Sequence, residues 1–98
     1  MKTIDVNAKQ WWDKVNGNSY FSAVVTIDYS LPTEKVIKVS FQYGYRDSYE
    51  QAAFSALKES GLYNGNASQL WQLRDEGVII RKHKEVGCKK RDVIAYGM

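Results

Sequence analysis

The sequence predicts an α+β fold: a mainly antiparallel sheet with two helices on one face, in the order β-β-β-α-α-β-β. Apolar and polar residues alternate with period two as far as Tyr43. The apolar spacing then changes to about 3.6 residues, which is typical of an amphipathic helix. A further apolar strand begins at Val78. Because strands and helices are clustered along the chain, α+β is favoured over a parallel βαβ arrangement.

The length of the chain predicts one domain, residues 1–98. A chain of 98 residues is too short to hold two independent cores. Hydrophobic residues make up 44% and charged residues 26%, which are ordinary values for a globular protein. The composition therefore indicates neither disorder nor a fibrous repeat.

The first elements predicted are a short strand near residues 3–6 and a β-hairpin over residues 9–29. The hairpin turn is Asn16-Gly17-Asn18, because Asn-Gly is the strongest short signal for a tight hairpin. Along the returning strand, alternate apolar residues share one face: Phe21, Ala23, Val25, Ile27 and Tyr29. This face is expected to enter the core.

A third strand and two helices follow the hairpin. In the strand after Pro32, the residues expected to share a face are Ile37, Val39, Phe41 and Tyr43. Asp47 or Ser48 is the predicted cap of a first helix, whose apolar face comprises Tyr49, Ala52, Ala53, Ala56 and Leu57. A shorter second helix is predicted between Ser68 and Gly77.

The last predicted element is a basic hairpin with arms 78–86 and 91–96, joined through residues 87–90. It contains six of the fourteen cations, and only Glu85 and Asp92 oppose them, so residues 81–92 carry a net charge of +4. The six cations are Arg81, Lys82, Lys84, Lys89, Lys90 and Arg91. Such a segment attracts nucleic acid or an acidic protein surface. A solvated edge, whose lysines discourage aggregation, is the alternative.

Nothing in the sequence resembles a catalytic constellation. His83 is the only histidine, and it lies among cations that disfavour its protonated form. Cys88 is the only cysteine, and no partner base accompanies it, although its basic neighbours could lower its pKa. We therefore predict a binding protein, with no catalytic residue, metal site or cofactor.

The sequence also predicts a cytoplasmic protein without a membrane partner. No uninterrupted apolar stretch approaches the roughly 18 residues of a membrane span. The first residues, Met1-Lys2-Thr3-Ile4-Asp5, lack the apolar segment of a signal peptide.

Aromatic residues are abundant, at 13% of the chain, and some are candidates for a binding surface. Trp11 and Trp12 are adjacent in a strand and therefore point to opposite faces, so one can enter the core while the other stays exposed. The alternative is that both are covered by the neighbouring helix and loops. Among the tyrosines around the third strand, Tyr45 is the one expected to lie outside the core.

Several segments together resemble a group of small bacteriophage and prophage proteins of unassigned function. The resemblance rests on residues 11–22, on Phe41-Gln42-Tyr43-Gly44-Tyr45, on Asp47-Ser48-Tyr49 and on Lys89-Lys90-Arg91-Asp92. It covers about half of the chain. Arg46 departs from the pattern, which has glycine there. The resemblance implies an accessory protein of a phage or mobile element that occupies a surface of host machinery, as anti-CRISPR proteins do.

Two hypotheses for function follow. The first is a non-enzymatic inhibitor or modulator that binds a host protein complex, such as a defence nuclease complex, in the bacterial cytoplasm. The alternative is a module that stacks bases of single-stranded DNA or RNA on aromatic rings and holds phosphates with cations. Homodimerisation through an edge strand also stays open. The predicted partner-binding residues are Trp11, Trp12, Tyr20, Tyr45, Arg81, Lys82, Lys84, Lys89, Lys90 and Arg91.

Overall fold

A four-stranded sheet in the order β3-β2-β1-β4 organises the chain. The computed structural model describes all 98 residues. Its strands are β1 (Thr3–Asp13), β2 (Asn18–Ile27), β3 (Lys35–Tyr43) and β4 (Ile79–Glu85). Two α-helices, α1 (Ser48–Glu59) and α2 (Lys90–Tyr96), and one 3₁₀ helix (Leu70–Glu76) complete the fold. The α+β class is therefore confirmed, while the predicted order of elements changes at the carboxyl end.

The first hairpin forms around the predicted turn. β1 and β2 pair antiparallel from Ile4 opposite Ile27 to Asp13 opposite Asn18. Gly17 has φ +68°, a backbone conformation that favours glycine, and its N–H donates to the carbonyl of Asp13 at 2.8 Å. The two short segments predicted at residues 3–6 and from residue 9 onwards are one continuous strand.

The predicted carboxyl-terminal hairpin is wrong. β4 instead pairs in parallel with β1, from Thr3 beside Ile79 to Lys9 beside Glu85, so the sheet is mixed. Residues 90–96, predicted as the second arm, form α2. After Gly87 the Cys88 N–H donates to the carbonyl of Gln10, and the chain turns into the helix. A short apolar run such as residues 93–96 fits either period, so periodicity could not distinguish strand from helix here.

The two predicted helices, α1 and the 3₁₀ helix, pack on one face of the sheet, but the additional helix α2 lies on the other face. Seventeen buried residues under α1 and the 3₁₀ helix form the main core, in which Ile4, Leu57 and Leu73 are fully buried. We call this side of the sheet the core face. α2 packs on the opposite side, where Val93 is also fully buried and its carbonyl accepts a hydrogen bond from Ser22 Oγ at 2.5 Å. Ser22 points away from the core face because residues alternate along β2.

A β-bulge in β3 changes which side chains share a face. Ala23 lies opposite Val39, but Phe21 lies opposite Gln42, so β3 has one extra residue in this stretch. One extra residue reverses the alternation beyond it. Phe41 consequently contacts Tyr20, on the side away from the core. The prediction that Phe41 and Tyr43 share a face with Val39 was therefore wrong.

Candidate partner-binding site

Five aromatic side chains form one connected cluster beside α2, on the side of the sheet away from the core. They are contributed by β1, β2, β3 and the loop after β3. We call this cluster the aromatic surface; its members are Trp11, Tyr20, Phe41, Tyr43 and Tyr45. Pairing of the strands brings them together, because Tyr20 lies opposite both Trp11 and Tyr43.

The rings of the aromatic surface pack closely against one another. Tyr20 stacks with Trp11 at 5.6 Å and with Phe41 at 5.1 Å between ring centroids. Tyr43 meets Tyr20 and Tyr45 edge to face, at 5.9 and 5.2 Å. These are the favourable geometries for aromatic pairs. The five rings therefore form one preorganised cluster.

Part of this cluster is open to solvent. Tyr43 is 55% exposed and Tyr45 42%, while Trp11, Tyr20 and Phe41 are half-buried. The interaction with Tyr45 raises the pKa of the Tyr43 phenol. A tyrosine hydroxyl is protonated at neutral pH in any case, so the Tyr43 hydroxyl can donate a hydrogen bond to a partner.

The start of α2 adds cations to the edge of the aromatic surface. Lys90 Nζ lies 5.2 Å from the centroid of the Trp11 ring, within cation–π range. Lys89 and Arg91 are exposed, and the nearest carboxylate to Arg91 is that of Asp92, at 3.9 Å. Such an exposed pair contributes little. Lys89 and Arg91 therefore stay available to a partner, while Lys90 holds its charge beside Trp11.

The other three predicted cations are engaged in contacts within the fold. Arg81 donates to both carboxylate oxygens of Asp5, at 2.6 and 2.9 Å, and these hydrogen bonds raise its pKa. Lys82 Nζ donates to Glu50 at 2.9 Å, which raises the pKa of Lys82. Lys84 donates to the carbonyl of Arg46 at 3.0 Å. In the predicted basic hairpin, the cations of β4 are therefore bound within the fold, whereas those at the start of α2 are exposed.

Trp12 lies apart from the aromatic surface. It follows Trp11 in β1 and therefore points to the other side of the sheet, where it is 48% exposed. Of the four predicted aromatic residues, the structure brings together Trp11, Tyr20 and Tyr45. It adds Phe41 and Tyr43, which sequence reasoning missed because a bulge has no signal in the alternating pattern.

The loop leading to α1 contains a strained residue next to the aromatic surface. Arg46 has φ +46°, in the left-handed region where glycine is favoured. This is the position at which the resemblance pattern has glycine. The Arg46 carbonyl accepts the Lys84 hydrogen bond, so the strained turn is tied to β4.

The remaining reactive side chains are separate from the aromatic surface. Burial raises the pKa of the Cys88 thiol, contrary to the lowering that its basic neighbours suggest, and a thiol is a weaker nucleophile than a thiolate. His83 is exposed on the edge strand β4. No three His, Cys, Asp or Glu side chains are placed to hold a metal ion. None of the helices combines the length and apolar composition that crossing a membrane requires.

Comparisons of the chain with protein-family models, curated proteins and solved structures found no match. The resemblance to bacteriophage proteins therefore stays a prediction.

Proposed function

We propose that this chain is a non-enzymatic binding protein, an inhibitor or modulator of a host protein complex, and that its partner binds the aromatic surface. The observation that carries the proposal is the contact of exposed Tyr43 and Tyr45 with three packed, half-buried rings. Tyrosine and tryptophan are enriched among the few residues that contribute most of the binding energy in protein interfaces. Their preorganisation reduces the entropy lost on binding.

The main core does not account for these rings. The seventeen-residue core lies under α1 and the 3₁₀ helix and contains none of the five members of the aromatic surface. α2 covers only part of the sheet's second side, which leaves Tyr43 more than half exposed. Large aromatic area that is exposed in one contiguous patch indicates an interaction site. The inhibitor role, and with it the origin in a phage or mobile element, comes from the resemblance alone.

Affinity capture from a bacterial lysate with active defence systems tests the proposal. The wild type is compared with Tyr43→Ala and with Trp12→Ala, an exposed aromatic of similar accessibility on the other side of the sheet. We expect a protein captured by the wild type to be lost with Tyr43→Ala and retained with Trp12→Ala. Equal capture by both variants, or loss only with Trp12→Ala, contradicts the proposal.

Single-stranded nucleic acid is the alternative partner. It is favoured by the exposed cations Lys89 and Arg91 beside the aromatic rings, which form no strong ion pair within the fold. Fluorescence anisotropy of a labelled thymidine oligonucleotide, measured at several salt concentrations, distinguishes a nucleic-acid partner from a protein partner. Micromolar binding that weakens steeply with salt and disappears in Tyr43→Ala would support this alternative. We expect no such binding near physiological salt.

A further inference from the structure

We infer that the aromatic surface receives an acidic segment of a partner protein, in which carboxylates flank an apolar anchor. The inference rests on the proposed function and specifies the chemistry of its partner. Three properties of the surface support it: the parts of the rings left open, the charges beside them, and the short extent of those charges.

The first property is the chemical character of the open aromatic area. Tyr43 is more than half exposed and Tyr45 nearly so, and the open part of the surface therefore combines apolar ring area with the Tyr43 hydroxyl. A phenol hydroxyl can donate a hydrogen bond to a carboxylate. The ring area beside it suits an apolar side chain.

The second property is the charge at the start of α2. Lys89, Lys90 and Arg91 are consecutive, exposed cations, and Lys90 lies directly over Trp11. Asp13 lies near Lys90, and hydrogen bonds from Asn16 and Val15 lower its pKa, so it is ionised. With Asp92 beside Arg91, two carboxylates oppose the three cations and leave a net charge of +1. The edge of the aromatic surface is therefore weakly positive and complementary to an acidic segment.

The third property separates an acidic protein segment from nucleic acid. Proteins that bind single strands hold the phosphate backbone along an extended, positively charged groove. The exposed cations beside the rings are confined to the start of α2, because Arg81, Lys82 and Lys84 are engaged within the fold. Such a short positive segment suits a few carboxylates better than a phosphate backbone.

Amide NMR shifts of the ¹⁵N-labelled full chain test the inference directly. The probe is a twelve-residue peptide with a central leucine flanked by glutamates, and the matched control has glutamine for every glutamate. We expect the acidic peptide to cause saturable shifts at Tyr20, Tyr43 and Lys90. The glutamine peptide should bind at least about tenfold more weakly, and added salt should weaken binding of the acidic peptide by a similar factor. The double variant Lys89→Glu, Lys90→Glu is expected to remove the preference for the acidic peptide, whereas Trp12→Ala keeps it.

Three results would overturn the inference. The glutamine peptide could bind as tightly as the acidic one, the acidic peptide could shift only β4 resonances around Arg81, or a thymidine 12-mer could shift the aromatic surface where the acidic peptide does not. The proposed function is judged separately. If Tyr43→Ala still loses the captured partner while both peptides bind equally, the surface is a protein-binding site of a different chemistry.

Discussion

The two sides of the sheet are built from the same strands but have different contents. On the core face, Ile4 and Val6 of β1 pack with Ala23 and Val25 of β2 in a closed apolar layer beneath α1. On the other side, the alternate residues include Trp11 and Tyr20, and one short helix covers them incompletely. Because residues alternate along the strands, one face of the sheet forms the hydrophobic core and the other exposes aromatic side chains. We expect mutations in the core to affect stability and mutations of the exposed aromatic residues to affect binding.

The largest expected effect comes from charging the core face. Leu57 is fully buried in α1, so Leu57→Asp places an unpaired carboxylate in the main core. We expect a loss of several kcal/mol in the free energy of unfolding, measured by urea denaturation. Ser55→Asp puts the same charge on the exposed side of α1 and should change stability by about 0.5 kcal/mol or less. Equal stability of the two variants would contradict the described packing of α1.

The second-largest effect concerns the hydrogen bond that holds α2 on the side of the sheet opposite the core face. Ser22→Ala removes the hydroxyl that donates to the buried carbonyl of Val93. Loss of this buried hydrogen bond is expected to cost about 0.5–1.5 kcal/mol, and hydrogen exchange should accelerate in residues 90–96 before it does in β1. Ser40→Ala, at an exposed position of β3, is the control. A neutral Ser22→Ala would mean that α2 is not anchored there.

The third effect concerns the turn beside the aromatic surface. Arg46→Gly should stabilise the protein by up to about 1 kcal/mol, because glycine adopts the positive φ without strain, less the entropy that glycine adds to the unfolded chain. Arg46→Ala retains a Cβ and should give no such gain. Thermal denaturation of the two variants measures the difference. A stabilised alanine variant would show that the arginine side chain, and not the backbone, causes the strain.

The last expected effect depends on pH and lies at the other end of the sheet, at Asp28. Its carboxylate accepts the backbone N–H groups of Lys2 and Thr3 and the Thr33 hydroxyl, which lower its pKa to about 2. A carboxyl whose pKa is lower when folded stabilises the protein above its unfolded value of about 3.9 and loses this contribution as pH falls towards 2. Melting temperature should therefore fall more steeply from pH 4 to 2 in the wild type than in Asp28→Asn. Parallel curves would refute this role for Asp28.

Local patterns predicted the fold where neighbouring residues decide it. The Asn-Gly turn and the helical spacing through Leu57 correctly gave the first hairpin and α1. The parallel pairing of β4 with β1 joins segments about 75 residues apart and has no local signal. The short segment of α2 is compatible with either period, and its packing on the sheet determines the helix.

The candidate site, too, was predictable only where neighbouring residues decide the position of a side chain. Trp11 and Tyr20 were predicted because strand alternation can place aromatic residues outside the core, and Tyr45 was predicted as the tyrosine that lies outside it. Phe41 was missed because the bulge in β3 reverses its side. Arg81 could not be excluded from sequence, since its partner, Asp5, lies at the far end of the chain and reaches it only through the sheet.

Site-specific photocrosslinking tests most directly whether the aromatic surface is the binding site. A p-benzoylphenylalanine replaces Tyr43 in one variant and Trp71 of the 3₁₀ helix in the other, positions of nearly equal exposure at 55% and 53%. After irradiation in bacterial cells, we expect a crosslinked partner from position 43 and none from position 71. A crosslink from position 71 alone would place the partner on the other side of the molecule and contradict the account.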